Sequence, residues 1–198
     1  MAREDGRGGG TRHGGAVLAL AGFAAAAGFA AAMGSRHDPT TGDTKEWYRA
    51  LDKPRWTPPD WVFPVVWTPL YALIALSAYR VWRAEPSDDR SRALALWGAQ
   101  MGLNAAWTPL FFGRQSPEAG LADVGLMVPA IIGYMAQARK VDPTATWMLA
   151  PYLAWGTFAT ALNADIVRRR LRGSDRDEGK ATSDPSPRRE VADAMAAR

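Results

Sequence analysis

Five long stretches of this chain are almost free of charge, and that constrains the fold more than any other feature. They are 14–33, 61–82, 93–112, 119–138 and 146–167. Together they hold 104 residues and three charges, Arg80, Asp123 and Asp165. The other 94 residues carry the remaining 41 of the 44 charges. A helix on the surface of a water-soluble protein keeps a charged face, so charge is spread along it. Windows of 20 to 22 uncharged residues match the length needed to cross a bilayer as a helix. The expected fold is therefore an all-α membrane protein, a bundle of five transmembrane helices. Overall composition hides this, because 22% charged residues is ordinary for a soluble domain.

Other counts narrow the chemistry. The chain has no cysteine, which excludes disulfides, thiolate nucleophiles and cysteine metal sites. Its two histidines, His13 and His37, lie outside the windows, so no histidine metal site or axial haem ligand is expected within the bundle. No metal site is expected elsewhere. The pI near 9.7 reads as headgroup anchoring by basic residues and not as nucleic-acid binding.

Residues 1–13 are rich in Gly and Arg and read as a disordered tail. Window 14–33 follows three arginines and fits either a signal peptide or a helix of small residues packed against others. A long first loop, 34–60, carries an aromatic and basic block. That block either folds back on the bundle as a lid or forms an interfacial belt. The remaining links are short, which makes neighbouring helices antiparallel. Asp142–Pro143–Thr144 is a helix-start signal. After 167 comes the cluster Arg168, Arg169, Arg170 and Arg172, then a polar tail to residue 198 that reads as disordered. Five spans put the termini on opposite sides. Ten Lys and Arg near the face bearing the long loop and the carboxyl terminus, against eight on the other, point to that face as cytoplasmic.

Within the windows, three stripes recur at helical spacing: Phe63, Trp67 and Tyr71; Gln100, Asn104, Trp107 and Phe111; Pro151, Trp155, Ala159 and Asn163. Each is either a cavity wall or interhelical packing. Prolines 64, 69, 109, 129 and 151 bend helices and so favour a cavity. Asp123 either pairs within the membrane or lies close enough to the interface to meet water or a loop cation. Asp165 has the spacing for a same-face ion pair with Arg168 and Arg169. Arg80 is expected to snorkel to headgroups. No catalytic triad or phosphate-binding loop can be assembled, so any chemistry must use Trp, Tyr, Asn or Asp, or the ligand itself.

The block Trp47, Tyr48, Leu51, Lys53, Pro54, Trp56, Pro58, Pro59, Trp61, Val62 and Phe63 runs into Pro64, Val65, Val66, Trp67, Leu70 and Tyr71. It resembles the signature of the tryptophan-rich sensory protein family, which includes the mitochondrial translocator protein. Two later blocks agree: Gln100, Leu103, Asn104, Trp107, Leu110 to Gly113, and Pro151 to Trp155, Phe158, Ala159, Leu162 and Asn163. The resemblance spans about 14–168 and implies that the first window is retained as a helix. It also implies a dimeric five-helix bundle whose pocket is capped by the first loop and takes porphyrins such as protoporphyrin IX, sterols or flat synthetic drugs. No cofactor is required; the tetrapyrrole is the ligand.

Carried over by position, the ligand-binding residues are Trp47, Tyr48, Pro58, Phe63, Trp67, Asn104, Trp107, Trp155, Ala159 and Asn163. Trp67 and Trp155 match two tryptophans implicated in light-dependent porphyrin breakdown in some members. The chain departs at Ala164, where sterol-binding members carry a Tyr. The loose sterol pattern is also met by Leu76, Tyr79 and Arg83, and by Val128, Tyr134 and Arg139, so it discriminates little. The resemblance therefore implies a membrane receptor or sensor for a tetrapyrrole. Transport of such a ligand and light-dependent porphyrin degradation are the alternatives. The other expected partners are membrane lipid and a second copy of the chain.

Overall fold

The computed structural model describes residues 9–36 and 42–183. The expected tails at 1–8 and 184–198, and loop residues 37–41, lie outside the described residues. In chain order the elements are α1 (Gly9–Arg36), α2 (Gly42–Ala50), α3 (Val62–Arg83), α4 (Asp88–Thr108), a π-helical segment (Pro109–Gly113), α5 (Pro117–Val141), α6 (Pro143–Met148) and α7 (Ala150–Ser183). The described residues are all-helical apart from links and turns, as the charge-free windows require.

Helix boundaries follow local chemistry. Ser87 caps α4 by accepting the amide of Arg90 at 3.2 Å, and Asp88 and Asp89 occupy the first turn. Ser116 caps α5 in the same way, with Pro117 next, Glu118 in the first turn and Arg139 and Lys140 in the last. Asp142 accepts the amides of Thr144 (2.9 Å) and Ala145 (3.2 Å) and starts α6, as its sequence signal predicts.

The structure differs from the sequence reading at three places. Window 146–167 is not one continuous helix: the chain turns at Leu149 between α6 and α7. Pro151 has no N–H to give the carbonyl four residues back, so the helix restarts there. Helix also extends into both expected tails, from Gly9 and on to Ser183. In α7 the extension is supported by Asp165 paired with Arg168 and Arg169, and by the Ser174 hydroxyl bonded to the Arg170 carbonyl. Finally, three of the described helices are long and apolar enough to cross a membrane, at 15–32, 62–83 and 117–141. α4 begins with Asp88, Asp89, Arg90 and Arg92 and also carries Gln100 and Asn104, and α7 carries Asn163 and Asp165 and continues into the arginine cluster.

α5 lies between α4 and α7, and α1 packs on α3 and α4. The core between them contains Ile74, Ala78, Trp97, Met101, Val124, Met127, Ile131, Tyr134 and Tyr152. Trp97 gives its indole N–H to the Ile74 carbonyl (3.1 Å) and meets Phe23 edge to face at 5.1 Å, which fastens α1 and α4 to α3.

The end of the bundle away from α2 is closed by polar contacts. The Ser77 hydroxyl donates to the Ala145 carbonyl at 2.7 Å. Its single proton is then spent, so the Tyr134 hydroxyl, 2.6 Å away, donates to Ser77. Arg80 forms an ion pair with Asp142 at 2.9 Å. The pair is available because the α6 cap brings that carboxylate to the exposed face of α3. Burial acts to raise the Asp142 carboxyl, but the Arg80 hydrogen bond and charge and the two capping amides together hold it below its ordinary value. A carboxylate depressed on folding stabilises the protein above its unfolded pKa, about 4. That contribution is lost as pH falls through the lower folded value. The melting temperature in detergent should therefore be insensitive to Asp142 titration above about pH 5 and fall in acid. Asp142→Asn keeps a capping group but loses the ion pair. It should melt lower at neutral pH and show a shallower acid limb.

Candidate ligand-binding cavity

At the opposite end, beneath α2, the helices part around a cavity of about 510 Å³. Its walls come from four long helices. Phe63, Trp67 and Tyr71 line it from α3, and Asn104, Trp107 and Thr108 from α4. Val124 and Met127 belong to α5, and Trp155, Phe158, Ala159, Leu162, Asn163 and Ile166 to α7. Phe111 and Phe112 enter from the π-helical segment, Tyr48 closes the roof, and Ala31, Asp60, Pro64 and Thr68 complete one side.

The two phenylalanines enter from a segment whose geometry departs from the α-helix at Pro109. Pro109 has no N–H for the α-helical ladder. The helix opens, and Arg114 bonds the Pro109 carbonyl at 2.9 Å while Ser116 bonds that of Phe111 at 3.1 Å. Gln115 then turns the chain with φ of 51°. Phe111 stacks on Trp107 at 5.0 Å and 16°, and Phe112 meets the same indole edge-on at 5.7 Å.

The first loop does fold back on the bundle. Trp47 meets Phe111 at 5.5 Å and Phe112 at 6.3 Å, and Tyr48 meets Phe112 at 5.5 Å, all edge to face. Trp56 reaches Phe158 at 5.6 Å. Asp52 pairs with Arg169 of α7 at 3.4 Å. Lys53 bends over the Tyr48 ring, with Nζ 3.6 Å from its centroid, and donates to the Tyr48 carbonyl at 2.9 Å. Burial, assisted by the Asp60 charge, pushes the Tyr48 hydroxyl up to about 12, so the roof phenol is neutral at physiological pH. Burial also lowers the Lys53 ammonium, with Asp60 working against it and Arg49 with it.

Eight of the ten sequence-predicted residues line this one cavity: Tyr48, Phe63, Trp67, Asn104, Trp107, Trp155, Ala159 and Asn163. Trp47 and Pro58 do not. Trp47 stands one layer behind, supporting Phe111 and Phe112, and Pro58 is half-buried in the loop. Of the three stripes, Gln100 and Pro151 are the members that miss the cavity: Gln100 is fully buried away from it and Pro151 is exposed. Phe158, Leu162 and Ile166 were absent from the predicted set. With Trp155, Ala159 and Asn163 they form steps of three and four, and a reading at fixed steps of four takes only half of that face.

Polar groups are few and mostly internal. Tyr71 donates to Asn104 Oδ1 at 2.9 Å, and Asn104 Nδ2 donates to the Tyr152 hydroxyl at 3.1 Å. Tyr152 in turn donates to the Met127 sulfur at 3.2 Å. This chain ties α3, α4, α5 and α7 together along the cavity wall. Asp123 is buried, and its Oδ2 has no hydrogen-bond partner. Asp165 stands as expected in its ion pairs with Arg168 and Arg169.

The architecture defines a class: a helical membrane protein with an aromatic cavity at one end, roofed by its first loop. The chain belongs to the TspO/MBR family, whose profile matches residues 18–169. It is 43% identical over 123 residues to the tryptophan-rich sensory protein of Cereibacter sphaeroides, covering 62% of this chain and 76% of that one. It is 41% identical over 130 residues to the tryptophan-rich protein TspO of Archaeoglobus fulgidus, covering 64% and 82%. To the human translocator protein it is 37% identical over 150 residues, covering 74% and 87%.

Proposed function

We propose that this protein is a membrane receptor or sensor that binds a flat apolar ligand, a tetrapyrrole such as protoporphyrin IX, in the cavity beneath the first loop. The observation that carries this reading is the pairing of aromatic walls. Trp67 stacks on Tyr71 at 5.1 Å on α3, and Trp155 stacks on Phe158 at 5.2 Å on α7, both beside the same space. Ring faces on two helices suit a planar ligand, and about 510 Å³ is within the range of small-molecule sites. All five long helices are taken to cross the bilayer, with the lid and carboxyl-terminal end cytoplasmic, and two copies to associate within it. Titrating the detergent-solubilised protein with protoporphyrin IX in the dark should give saturable quenching of tryptophan fluorescence. A folded protein that shows none overturns the reading. Transport would show only in reconstituted liposomes, as ligand moved across the bilayer.

The placement of both Trp67 and Trp155 on the cavity also supports a photochemical reading, in which an indole gives an electron to the light-excited tetrapyrrole. With dioxygen present, Trp67→Phe combined with Trp155→Phe should slow photodegradation by roughly tenfold or more, about 1.4 kcal/mol in the barrier. Binding in the dark should persist, because phenyl rings still offer faces. Photodegradation at the unaltered rate removes these indoles from the chemistry.

A further inference from the structure

We propose that the ligand enters the cavity sideways, from the hydrocarbon of the bilayer, through a window framed by Ala31 on α1 and Pro64 and Thr68 on α3. This rests on the tetrapyrrole reading and adds the route, and with it the source, of the ligand. Ala31, Pro64 and Thr68 wall the cavity and are also exposed. Residues that do both mark where a cavity meets its surroundings. In the first loop only Asp60, one turn before Pro64 at the start of α3, is also both lining and exposed among the described residues. Tyr48 and Pro54 are buried there, Trp47 and Trp56 are packed on phenylalanines of the bundle, and Asp52 is held by Arg169.

The surface beside the window is apolar. Phe29 is 61% exposed, Val65 60% and Trp61 67%. Side chains of this kind face lipid, with the indole at headgroup depth. From Val62, where α3 begins, to Thr68 the chain descends about 9 Å at the helical rise, which stays within one leaflet of a hydrocarbon core about 30 Å thick. The Thr68 hydroxyl donates to the Pro64 carbonyl at 2.8 Å, so the frame presents no unspent hydroxyl to lipid. Asp60, the only charged residue lining the cavity among the described residues, stands at the upper edge. The ligand class this admits is a molecule already dissolved in the membrane, its apolar body entering first and its ionised groups left at headgroup level.

The test compares two obstructions in nanodiscs, with protoporphyrin IX delivered from donor vesicles and binding followed by stopped-flow tryptophan quenching in the dark. Ala31→Phe and Thr68→Phe, singly and together, narrow the window. Asp52→Cys with Arg169→Cys, joined by a short bismaleimide, ties the roof down in a chain that has no other cysteine. The window variants should bind roughly tenfold more slowly or worse, and the tied roof should bind at the unmodified rate. Two single variants guard against one failing to fold. A tied roof that slows binding while the window variants keep the original rate overturns the route. If the unmodified protein shows no equilibrium quenching, the tetrapyrrole reading itself fails, and the route falls with it.

Discussion

Replacing Ala159 by Trp should weaken protoporphyrin IX binding by roughly 100-fold, about 2.7 kcal/mol, while the protein stays folded. Ala159 is the smallest side chain on the α7 wall and lies one turn from both Trp155 and Asn163. Its methyl leaves room between larger neighbours, and an indole there would project into the cavity that the ligand needs. Ala159 is half-buried, so the new ring has open volume to occupy and need not force the helices apart. Overpacking a closed core is what usually makes such a change destabilising, and the cavity removes that cause. Far-ultraviolet circular dichroism and the melting temperature should stay close to those of the unmodified protein, and the quenching titration should lose its saturation. An unaltered dissociation constant would mean that the ligand does not lie against α7. Ala159→Ser is the control, because it adds one oxygen at nearly the same volume and should bind within a few-fold.

How much of this was legible in the sequence depends on which physical signal each residue carries. Charge-free windows reveal helices because burial in lipid tolerates almost no charge, and the helical fold follows them. Steps of three and four place side chains on one face, so Phe63, Trp67 and Tyr71 share a face of α3, Asn104 and Trp107 one of α4, and Trp155, Ala159 and Asn163 one of α7 by periodicity alone. Periodicity cannot say whether such a face meets a cavity or another helix. Gln100, on the same stripe as Asn104, is fully buried away from the cavity. A stripe read at steps of three and four takes one residue per turn, so it includes Phe111 and omits Phe112, about 100° further round, although both line the cavity. The ion pair of Arg80 is invisible to local pattern, because Asp142 is 62 residues away and becomes available only when α6 packs on α3.

The roof and the cavity wall share one structural support, the π-helical segment. Phe111 touches Trp107 on the cavity side and Trp47 on the roof side. A change felt by that ring is therefore transmitted to both. Trp47, although off the cavity, packs on both phenylalanines that line it.

Gly120→Val should be the most damaging single change outside the cavity itself. A Cβ at position 120 would lie 2.7 Å from Phe111 Cδ2, 3.1 Å from its Cβ and 3.3 Å from its Cγ. Such contact is relieved only if the ring withdraws. Three rings resist that movement: Trp107 is stacked on it at 5.0 Å, Phe112 is 4.9 Å away and Trp47 5.5 Å. Glycine is here for close approach and not for an unusual backbone, since position 120 is within α5. Valine adds three carbons against that ring, and overpacking of this kind costs about 1–3 kcal/mol. The melting temperature in detergent should fall accordingly, and the roof should loosen as Phe111 is pushed toward Trp47. Exposure of the roof can be read by the iodide quenching of Trp47 in a protein whose other tryptophans are replaced by phenylalanine. The decisive comparison is Gly120→Ala alone and with Phe111→Leu. If the close approach is the cause, the smaller side chain at 111 should recover part of the lost stability, a coupling of about 0.5–3 kcal/mol. Strictly additive losses, or a Gly120→Val protein that melts with the unmodified one, would show that α5 does not press on Phe111 at this point.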